Sequence, residues 1–471
     1  MNRLALTLSL ALRNLLRNRR RSLTSLLAVM IGGFSLLLFG GYVRNITYGL
    51  ETGFVTQSGH FQIQRKDYFL YGNGNPAAYG IDDYDALIAA VKGDAALAPL
   101  LAVVTPTLQL GGIAGNFAAA ASRTVVGMGI VVDDQNRMRL WNEYAFPVLP
   151  APLALTGTAS DAAVVGTGVA RALDLCAPLK VSNCKRAGEP AAPTPSASAN
   201  DLLPNDIAAL SAQETPKAPS PSKTRIELLA PNTHGAPNMA QLNIVKAEEQ
   251  GVKELDDIFV ALHLSQAQKL IYGNGKPKVT AIEVQLKSTH AMPAAETLLR
   301  DVIAKSPQKD ALTILDFRTL NPFYEQTIRL FDVIFGFISL LIGTIVVFML
   351  GNTMSMAVVE RTVEIGTLRA IGLKRREIRN LFVLEGLLLG LIGAVLGIVL
   401  AILAANIINW SGLSWTPPGR ITEVPLTVRV WGEWTLIGVT GSGLILIAGL
   451  SAWWPSQQAA RMNIVDALRH V

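Results

Sequence analysis

The amino-acid sequence predicts a helical membrane protein with four transmembrane helices and a large α+β extracytoplasmic domain inserted between helices 1 and 2. Half of its 471 residues are hydrophobic, only 16% are charged and the mean hydropathy is +0.35, which is too apolar for an ordinary soluble protein. Four windows contain no charged residue, and each exceeds the roughly 20 residues that a helix needs to cross a bilayer. These windows lie between Arg21 and Arg44, Asp332 and Glu360, Glu385 and Arg420, and Glu433 and Arg461.

The predicted transmembrane helices span residues 22–43, 330–355, 383–408 and 434–454. Their orientation follows from the flanking charges, because cytoplasmic loops of membrane proteins are rich in Lys and Arg. Residues 1–21, which predict a membrane-surface helix, and the loop at 356–382 are both strongly basic, so we place them in the cytoplasm. The domain at 44–329 and the loop at 409–433 then lie outside, and the tail at 455–471 returns to the cytoplasm.

The first apolar window and the positive net charge each allow an alternative to this topology. The window could be a cleaved signal peptide, but its run is too long and the following GGYVRN offers no small-residue cleavage site. The net charge of +6 could indicate a nucleic-acid partner, but the cations lie beside apolar segments rather than on a folded basic face. The charge therefore fits membrane topology, and we expect no nucleic acid.

The outer segment alternates between strand and helix patterns. A strand–helix–strand order is expected at 60–64, 84–92 and 102–110, and again at 281–286, 294–305 and 312–317. Further strands are expected at 124–129, 162–168 and 255–264, the last leading into a helix capped by Ser265. Residues 187–223 are dense in Ala, Pro and Ser and predict a flexible excursion, with a partner-binding arm as the alternative.

The only two cysteines, Cys176 and Cys184, fall in this outer segment. In an oxidising compartment they can form a disulfide, and the alternative is a pair of free thiols. Their spacing matches no redox or metal motif, so we expect a local staple without a catalytic role.

Small residues line the third predicted transmembrane helix. Gly386, Gly390, Gly393 and Gly397 form two small-xxx-small pairs in register. Such a stripe predicts a helix-packing interface, either within one chain or between two copies.

A polar segment, ERTVEIGTLRAIG at Glu360–Gly372, separates the second and third windows. Apolar residues recur in it every three positions with charged residues between them, which predicts an amphipathic helix of about three turns on a membrane face. Such a helix is a docking surface, and the alternative is a solvated loop helix. In this segment, which begins at Glu360, we expect apolar contacts from Ile365, Leu368 and Ile371. Polar contacts are expected from Arg361, Glu364 and Arg369. Gly366 and Gly372 would allow close approach and helix termination.

Motifs for catalysis are absent from the sequence. It contains no G-x-x-x-x-G-K-[ST], and YGNGKPK at Tyr272–Lys278 has Pro277 where a magnesium-binding hydroxyl would stand. No nucleophile elbow or H-E-x-x-H pair occurs, and the five histidines are scattered, so neither an enzyme nor a metal site is expected. The charge-free windows hold no ionisable group for ion coupling. The protein is therefore expected to work by movement that another subunit drives.

The stretch NTMSMAVVERTVEIGTLRAIG resembles the cytoplasmic coupling segment of the MacB/LolC/FtsX-type ABC transporter permeases. FRTLNPFY, VVGTGVARALDL, DDIFVALHLSQAQKLI and the C-terminal PSQQAARMNIVDALRHV resemble other parts of that family, although Gln457 and Gln458 stand where basic residues are expected. The resemblance implies a porter-like base at about 50–110 and 280–320 and a distal β-rich subdomain at about 111–279.

The same resemblance implies a function. It suggests a non-catalytic permease subunit of the bacterial inner membrane, with both termini cytoplasmic, that dimerises as a homodimer or heterodimer and binds two copies of a separate ATPase. ATP and magnesium would be held by that ATPase, with no cofactor in this chain, and the unfused arrangement is closest to LolC and LolE. Mechanotransmission would move lipoproteins, peptides or hydrophobic compounds, with membrane lipid and a periplasmic adaptor or carrier as further partners. The alternatives are FtsX-like signalling that activates a periplasmic partner without transport, and a structural anchor.

Overall fold

The structure is a computed structural model that describes residues 11, 13–15, 17, 19–146, 150–181, 224–416 and 423–462. Contacts between residues divide the chain into two units. The first comprises Met1–Leu50, Phe323–Trp415 and Val424–Val471, and the second comprises Glu51–Pro322 and Thr416–Glu423.

The elements alternate along the chain as follows. The helices are α1 (Arg19–Ser58), α2 (Tyr68–Tyr71), α3 (Tyr84–Gly93), α4 (Val132–Arg139), α5 (Thr167–Ala172), α6 (Cys176–Leu179), α7 (Lys253–Asp256), α8 (Leu264–Tyr272), α9 (Met292–Ala304), α10 (Phe317–Leu320), α11 (Pro322–Glu360), α12 (Thr362–Ala370), α13 (Arg375–Ser411) and α14 (Trp434–Arg461). The strands are β1 (Phe61–Arg65), β2 (Leu101–Asn116), β3 (Ala121–Ile130), β4 (Ala162–Gly166), β5 (Arg225–Pro231), β6 (Pro237–Glu248), β7 (Phe259–His263), β8 (Ala281–Leu286), β9 (Leu312–Asp316), β10 (Ser414–Trp415) and β11 (Val424–Pro425).

Long apolar helices build the first unit. Four helices in the described part of the chain are long and apolar enough to cross a membrane, as the charge-free windows predict: α1, α11, α13 and α14. Each begins or ends well beyond its predicted span, because the polar residues that flank an apolar window continue the same helix. Of these four helices, α11 has the smallest buried share: 17% of its most apolar window is buried inside the structure.

Glycines on α13 allow its neighbours to approach closely within the first unit. A methyl group added at Gly390 would lie 2.6 Å from the Cβ of Ala448 on α14, and one at Gly397 would lie 2.8 Å from the carbonyl oxygen of Met30 on α1. Gly386 likewise faces α14 and Gly393 faces α1. All four predicted packing glycines thus make close contacts within one chain.

The second unit contains both predicted strand–helix–strand repeats. Strand β1 pairs antiparallel with β8 and β9, and β8 pairs antiparallel with β2, so the strands of the two repeats interleave in the order β2-β8-β1-β9. One face of this part of the sheet is apolar and includes the fully buried Phe61, Ile63 and Val284. Helices α3 and α9 supply buried apolar residues such as Val91 and Leu299.

The same sheet continues through β2 into the remaining strands of the second unit. Residues 101–107 of β2 pair with β8, whereas residues 108–116 pair with β3 and residues 113–115 also pair with β5. The full order is β3-β7-β4-β6-β5-β2-β8-β1-β9. The boundary predicted at residue 110 falls inside β2, so one strand belongs to both halves.

The other face of the four-stranded part carries buried polar groups. Glu283 on β8 is 2% exposed and accepts a hydrogen bond from the Nε2 of Gln135 on α4 at 3.0 Å. Burial raises the pKa of the Glu283 carboxyl to about 8, while hydrogen bonds from Gln135 and Thr107 act in the opposite direction. Gln285 donates to the carbonyl oxygens of Val55 and Met138.

Some local predictions differ from the structure. Helix α8 begins at Leu264, with His263 at its N-cap and no side-chain cap bond, so the predicted cap by Ser265 is wrong. Three elements were not predicted: strands β5 and β6 and helix α4. They contain many small or polar side chains, so their apolar residues form no clear periodic pattern. The flexible excursion predicted at 187–223 lies outside the described residues.

Candidate coupling site

The segment Glu360–Gly372 is placed between two membrane-capable helices of the first unit. Helix α11 ends at Glu360, Arg361 leaves the helical conformation with φ −101° and ψ 14°, and α12 follows from Thr362 to Ala370. Gly372 then adopts φ +106°, a left-handed conformation that only glycine reaches without strain. The amide of Leu373 donates to the carbonyl oxygen of Leu368 at 3.1 Å, which closes the helix. The terminating role predicted for Gly372 is confirmed.

The faces of α12 differ from the predicted amphipathic pattern. Ile365 is 2% exposed and packs in an apolar cluster with Val358, Ile378 and Phe382, whereas Ile371 is 75% exposed. A step of three residues turns a helix by about 300°, so each apolar residue falls about 60° behind the previous one. Ile371 therefore lies about 120° around the helix from Ile365. The prediction that Ile365, Leu368 and Ile371 share one contact face is wrong.

The exposed surface of α12 is consequently a mixed one. It is formed by Val363, Glu364, Thr367 and Ala370, and continues to Ile371 after the helix ends. Leu368 and Arg369 are half-buried, and Gly366 is buried, so none of these three contributes a fully open side chain. We call the exposed set, Val363, Glu364, Thr367, Ala370 and Ile371, the open face of α12.

Arg361 does not lie on this open face. Its side chain is 5% exposed, and its Nη1 lies 3.2 Å from the Oε2 of Glu385, whose side chain is also 5% exposed. The Nη2 of Arg361 donates to the carbonyl oxygen of Asn14 at 3.3 Å. The guanidinium of Arg361 is thus occupied inside the chain, and its polar contact to a partner stays a prediction.

Two further ion pairs tie the segment to the N-terminal region. Arg17 donates from its Nη2 to both carboxylate oxygens of Glu364, at 2.7 and 2.8 Å. Arg21 donates from its Nη1 to Glu360 at 2.7 Å. The hydrogen bond that Arg17 donates to Glu364 raises the pKa of its guanidinium, with a smaller contribution from the charge of the same carboxylate. These pairs are half-exposed, so water screens them and they add little to stability.

The C-terminal region is connected to the same segment. The Nη1 of Arg369 donates to the carbonyl oxygen of Met462. On α13, the guanidinium of Arg379 lies over the ring of Trp453 of α14, 4.9 Å from its centre. The segment Glu360–Gly372 thus contacts the N-terminal region, α13 and the residue that follows α14.

Sequence reasoning missed Glu385, Arg17 and Arg21 as members of this site. Glu385 marks the edge of a charge-free window, but it also falls inside the predicted span 383–408, where an ionisable residue is a signal of function. In the sequence, Arg17 and Arg21 indicate only topology. Their partners come from residues more than 300 positions away, so no local pattern could identify them.

Two other predicted features concern the cysteines and metal ions. Cys176 opens α6, but Cys184 lies outside the described residues, so the disulfide stays a prediction. Among the residues that the structure describes, no group of three His, Cys, Asp or Glu could hold a metal ion. Within the described residues, the segment is a short helix that ion pairs and apolar packing hold against its neighbours.

Part of the chain matches a known protein family. Residues 336–464 match the family described as "FtsX-like permease C-terminal". This range includes most of α11, all of α12 and α13, and α14.

Curated relatives carry consistent descriptions. The chain is 27% identical over 49% of its length to an uncharacterized ABC transporter permease, MJ1507, of Methanocaldococcus jannaschii, of which it covers 55%. It is 30% identical over 41% of its length to the macrolide export ATP-binding/permease protein MacB of Escherichia coli, of which it covers 28%. It is 26% identical over 50% of its length to the lipoprotein-releasing system transmembrane protein LolC of Neisseria meningitidis, of which it covers 56%. The matched part of the chain thus covers between 28% and 56% of the length of these relatives.

Proposed function

Because the chain is an ABC transporter permease of the MacB, LolC and FtsX type, we propose that it couples ATP hydrolysis by a separate ATPase to movement of its second unit. The observation that carries this proposal is the placement of α12. It is a short helix with an open face, and ion pairs and apolar packing brace it against the surrounding helices. The movement would act on the outer side of the membrane.

The ATPase would dock on the open face of α12. Val363 and Ile371 are 46% and 75% exposed, and an apolar contact with a partner would remove both from water. Glu360 and Glu364 are already paired with arginines of the same chain, so the attraction would rest on shape and apolar burial more than on their charge. Thr367 and Ala370 are small enough to let the partner backbone approach closely.

Transmission would depend on the stiffness of the brace. The Arg361–Glu385 pair is buried, and separating its charges costs several kcal/mol. A displacement of α12 would therefore move the start of α13 and the end of α11 with it instead of bending the connection. Helices α1 and α11 provide covalent links between the two units, so they would carry that motion onward.

The partners and substrates belong to the same proposal. We infer two ATPase copies, which would hold ATP and magnesium, and a second permease copy, in a bacterial inner membrane with both termini cytoplasmic. The second unit would be periplasmic and would act on lipoproteins, peptides or hydrophobic compounds, with an adaptor or carrier protein as a further partner. The names of LolC and MacB, which refer to lipoprotein release and macrolide export, support this range.

Affinity purification in detergent tests the docking proposal. The wild type is compared with the double variant Val363→Asp, Ile371→Asp, followed by mass spectrometry and an ATPase assay. Leu140→Asp, which places one such charge at a 61% exposed leucine of the second unit, is the control for an added surface charge. We expect an ATPase subunit with the wild type and the control, and its loss from the double variant.

Two results would overturn the proposal: no ATPase with the wild type, or full retention by the double variant. If the ATPase binds as expected, a lipoprotein-release or efflux assay then separates transport from signalling without transport. A dependence of release on the open face supports transport, and intact release in the double variant argues against it.

A further inference from the structure

One outward face of the sheet in the second unit carries an unexpected apolar row. Ile113 on β2 pairs with Leu229 on β5, and Leu229 pairs with Met239 on β6, so the three side chains lie side by side on one face. They are 48%, 40% and 59% exposed. The opposite face at this position is the core, where Ala114 and Leu228 are fully buried. Contiguous exposed apolar side chains on a folded domain mark binding sites more often than chance.

The row forms one wall of a groove. Gly115, two residues after Ile113, points to the same face and leaves open space above the strand. Phe117, which is 77% exposed, follows at the turn between β2 and β3 and also lines the groove. The resulting groove has a volume of about 320 Å³. That volume lies at the lower end of the range of small-molecule sites, roughly 300–1,000 Å³.

Among the described residues that line the groove, Glu227 is the only ionisable one. Its neighbours across the strands are Gly115 and Gln241. Among the described residues, no ion pair or hydrogen bond is formed by the Glu227 carboxylate. The described lining is thus mostly apolar, with the polar Asn116 and Ser122 and with the carboxylate of Glu227 at its edge.

We propose that this groove binds a small organic cation with a large apolar surface. The apolar row would bury the hydrophobic body of the ligand, and the Glu227 carboxylate would pair with its positive charge. A volume of about 320 Å³ is of the size that a small-molecule ligand fills. An anionic ligand of the same shape would be repelled by Glu227. This proposal is independent of how the ATPase docks.

The test compares two ions of nearly equal size and shape, tetraphenylphosphonium and tetraphenylborate. Equilibrium dialysis measures saturable binding of each to the full-length protein in lipid nanodiscs. Gly115→Leu fills the groove, and the Cβ that it adds has no neighbour closer than 4.0 Å, so the strand can accept it. Gly93→Leu is the matched control, since Gly93 ends α3 and has open space around it. Glu227→Gln removes the charge, and Met239→Lys places a positive charge at the exposed rim.

We expect saturable binding of tetraphenylphosphonium to the wild type and to Gly93→Leu, and its loss in Gly115→Leu and Met239→Lys. Glu227→Gln should weaken it about tenfold, the effect of losing one charge-assisted contact. Tetraphenylborate should show no saturable component. If the cation still binds Gly115→Leu and Met239→Lys, or if both ions bind alike, the proposal is overturned. It is also overturned if Gly115→Leu changes the oligomeric state measured by mass photometry, because a second copy would then occupy the face.

Discussion

Arg361 and Glu385 form a buried ion pair at the start of α12, with 5% of each side chain exposed. Neither charge can be solvated by water there, so each depends on the other and, for Arg361, on the carbonyl oxygen of Asn14. Removing one partner leaves an uncompensated buried charge, whereas replacing both by apolar residues of similar size is often neutral. The pair therefore fixes the position of α12 more than it adds net stability.

Single and double replacements at this pair should behave differently. Glu385→Ala should lower the free energy of unfolding by about 3–5 kcal/mol, because the Arg361 guanidinium is left unpaired. The double variant Arg361→Met, Glu385→Met should recover most of that loss. Thermal unfolding in detergent measures both, with Glu296→Ala at the exposed Glu296–Arg300 pair as control, where a loss below about 1 kcal/mol is expected. Equal small losses for Glu385→Ala and Glu296→Ala would contradict this assignment.

Glu283 gives the second unit a pH-dependent stability. Burial raises the pKa of its carboxyl from 4.5 to about 8 in the folded state. Between these values the folded chain holds a proton that the unfolded chain has released, so stability is highest below about pH 4.5 and falls as the pH rises. Above about pH 8 both states are ionised and this contribution no longer changes.

The isosteric variant Glu283→Gln should remove this dependence. Between about pH 5 and pH 8 the free energy of unfolding of the wild type should fall relative to that of Glu283→Gln by up to about 1.4 kcal/mol per pH unit. The apparent melting temperature, which measures the change, should fall with it. Glu296→Gln, at an exposed carboxylate, should follow the wild type. A constant difference between wild type and Glu283→Gln across this range would show that Glu283 is not held protonated.

At the scale of elements, α13 is the helix around which the first unit packs. Its glycine stripe contacts α14 through Gly386 and Gly390 and contacts α1 through Gly393 and Gly397. Periodic glycines in an apolar window are visible in the sequence, so the existence of an interface was predictable. Its partners were not, because the choice between a neighbouring helix and a second chain depends on tertiary structure.

Leucine should destabilise the protein at a glycine that contacts a neighbouring helix and should have little effect at a glycine with open space around it. Gly390→Leu should destabilise the protein by at least about 1–3 kcal/mol, because its Cβ would overlap the Cβ of Ala448 at 2.6 Å. Gly438→Leu on α14, where nothing lies within 4 Å, is the matched control and should have little effect. The yield of monodisperse protein and the apparent melting temperature measure the difference. Similar behaviour of the two variants would argue against close helix packing at Gly390.

Elements with a strong local pattern were predicted well, and the others were not. Strand β8 matches its predicted range, and the four long helices follow from uninterrupted apolar windows. Helix α12 was predicted, but its faces were assigned wrongly, because a three-residue repeat is not the period of an α-helix. Strands β5 and β6 expose apolar residues such as Leu229 and Met239, so their alternation does not separate core from surface in the sequence.

At the scale of the whole molecule, the sequence predicts the two kinds of structure that the chain contains, a helical membrane unit and an α+β unit. The division of the α+β unit into base and distal parts was less predictable, since β2 runs through both. The ion pairs around α12 could not be predicted either, because they join residues far apart in the chain. The assignment of the family depends on the resemblance of particular motifs and on the domain match, not on composition.

Site-specific photocrosslinking tests the central claim most directly. A photoreactive amino acid is placed in the full-length protein at Ile371, 75% exposed on the open face of α12, or at Ile365, 2% exposed in the apolar cluster behind it. Crosslinked partners from intact membranes are identified by mass spectrometry. We expect an ATPase subunit crosslinked at Ile371 and none at Ile365. Absence of an ATPase at Ile371, or equal crosslinking at both positions, would contradict docking on the open face.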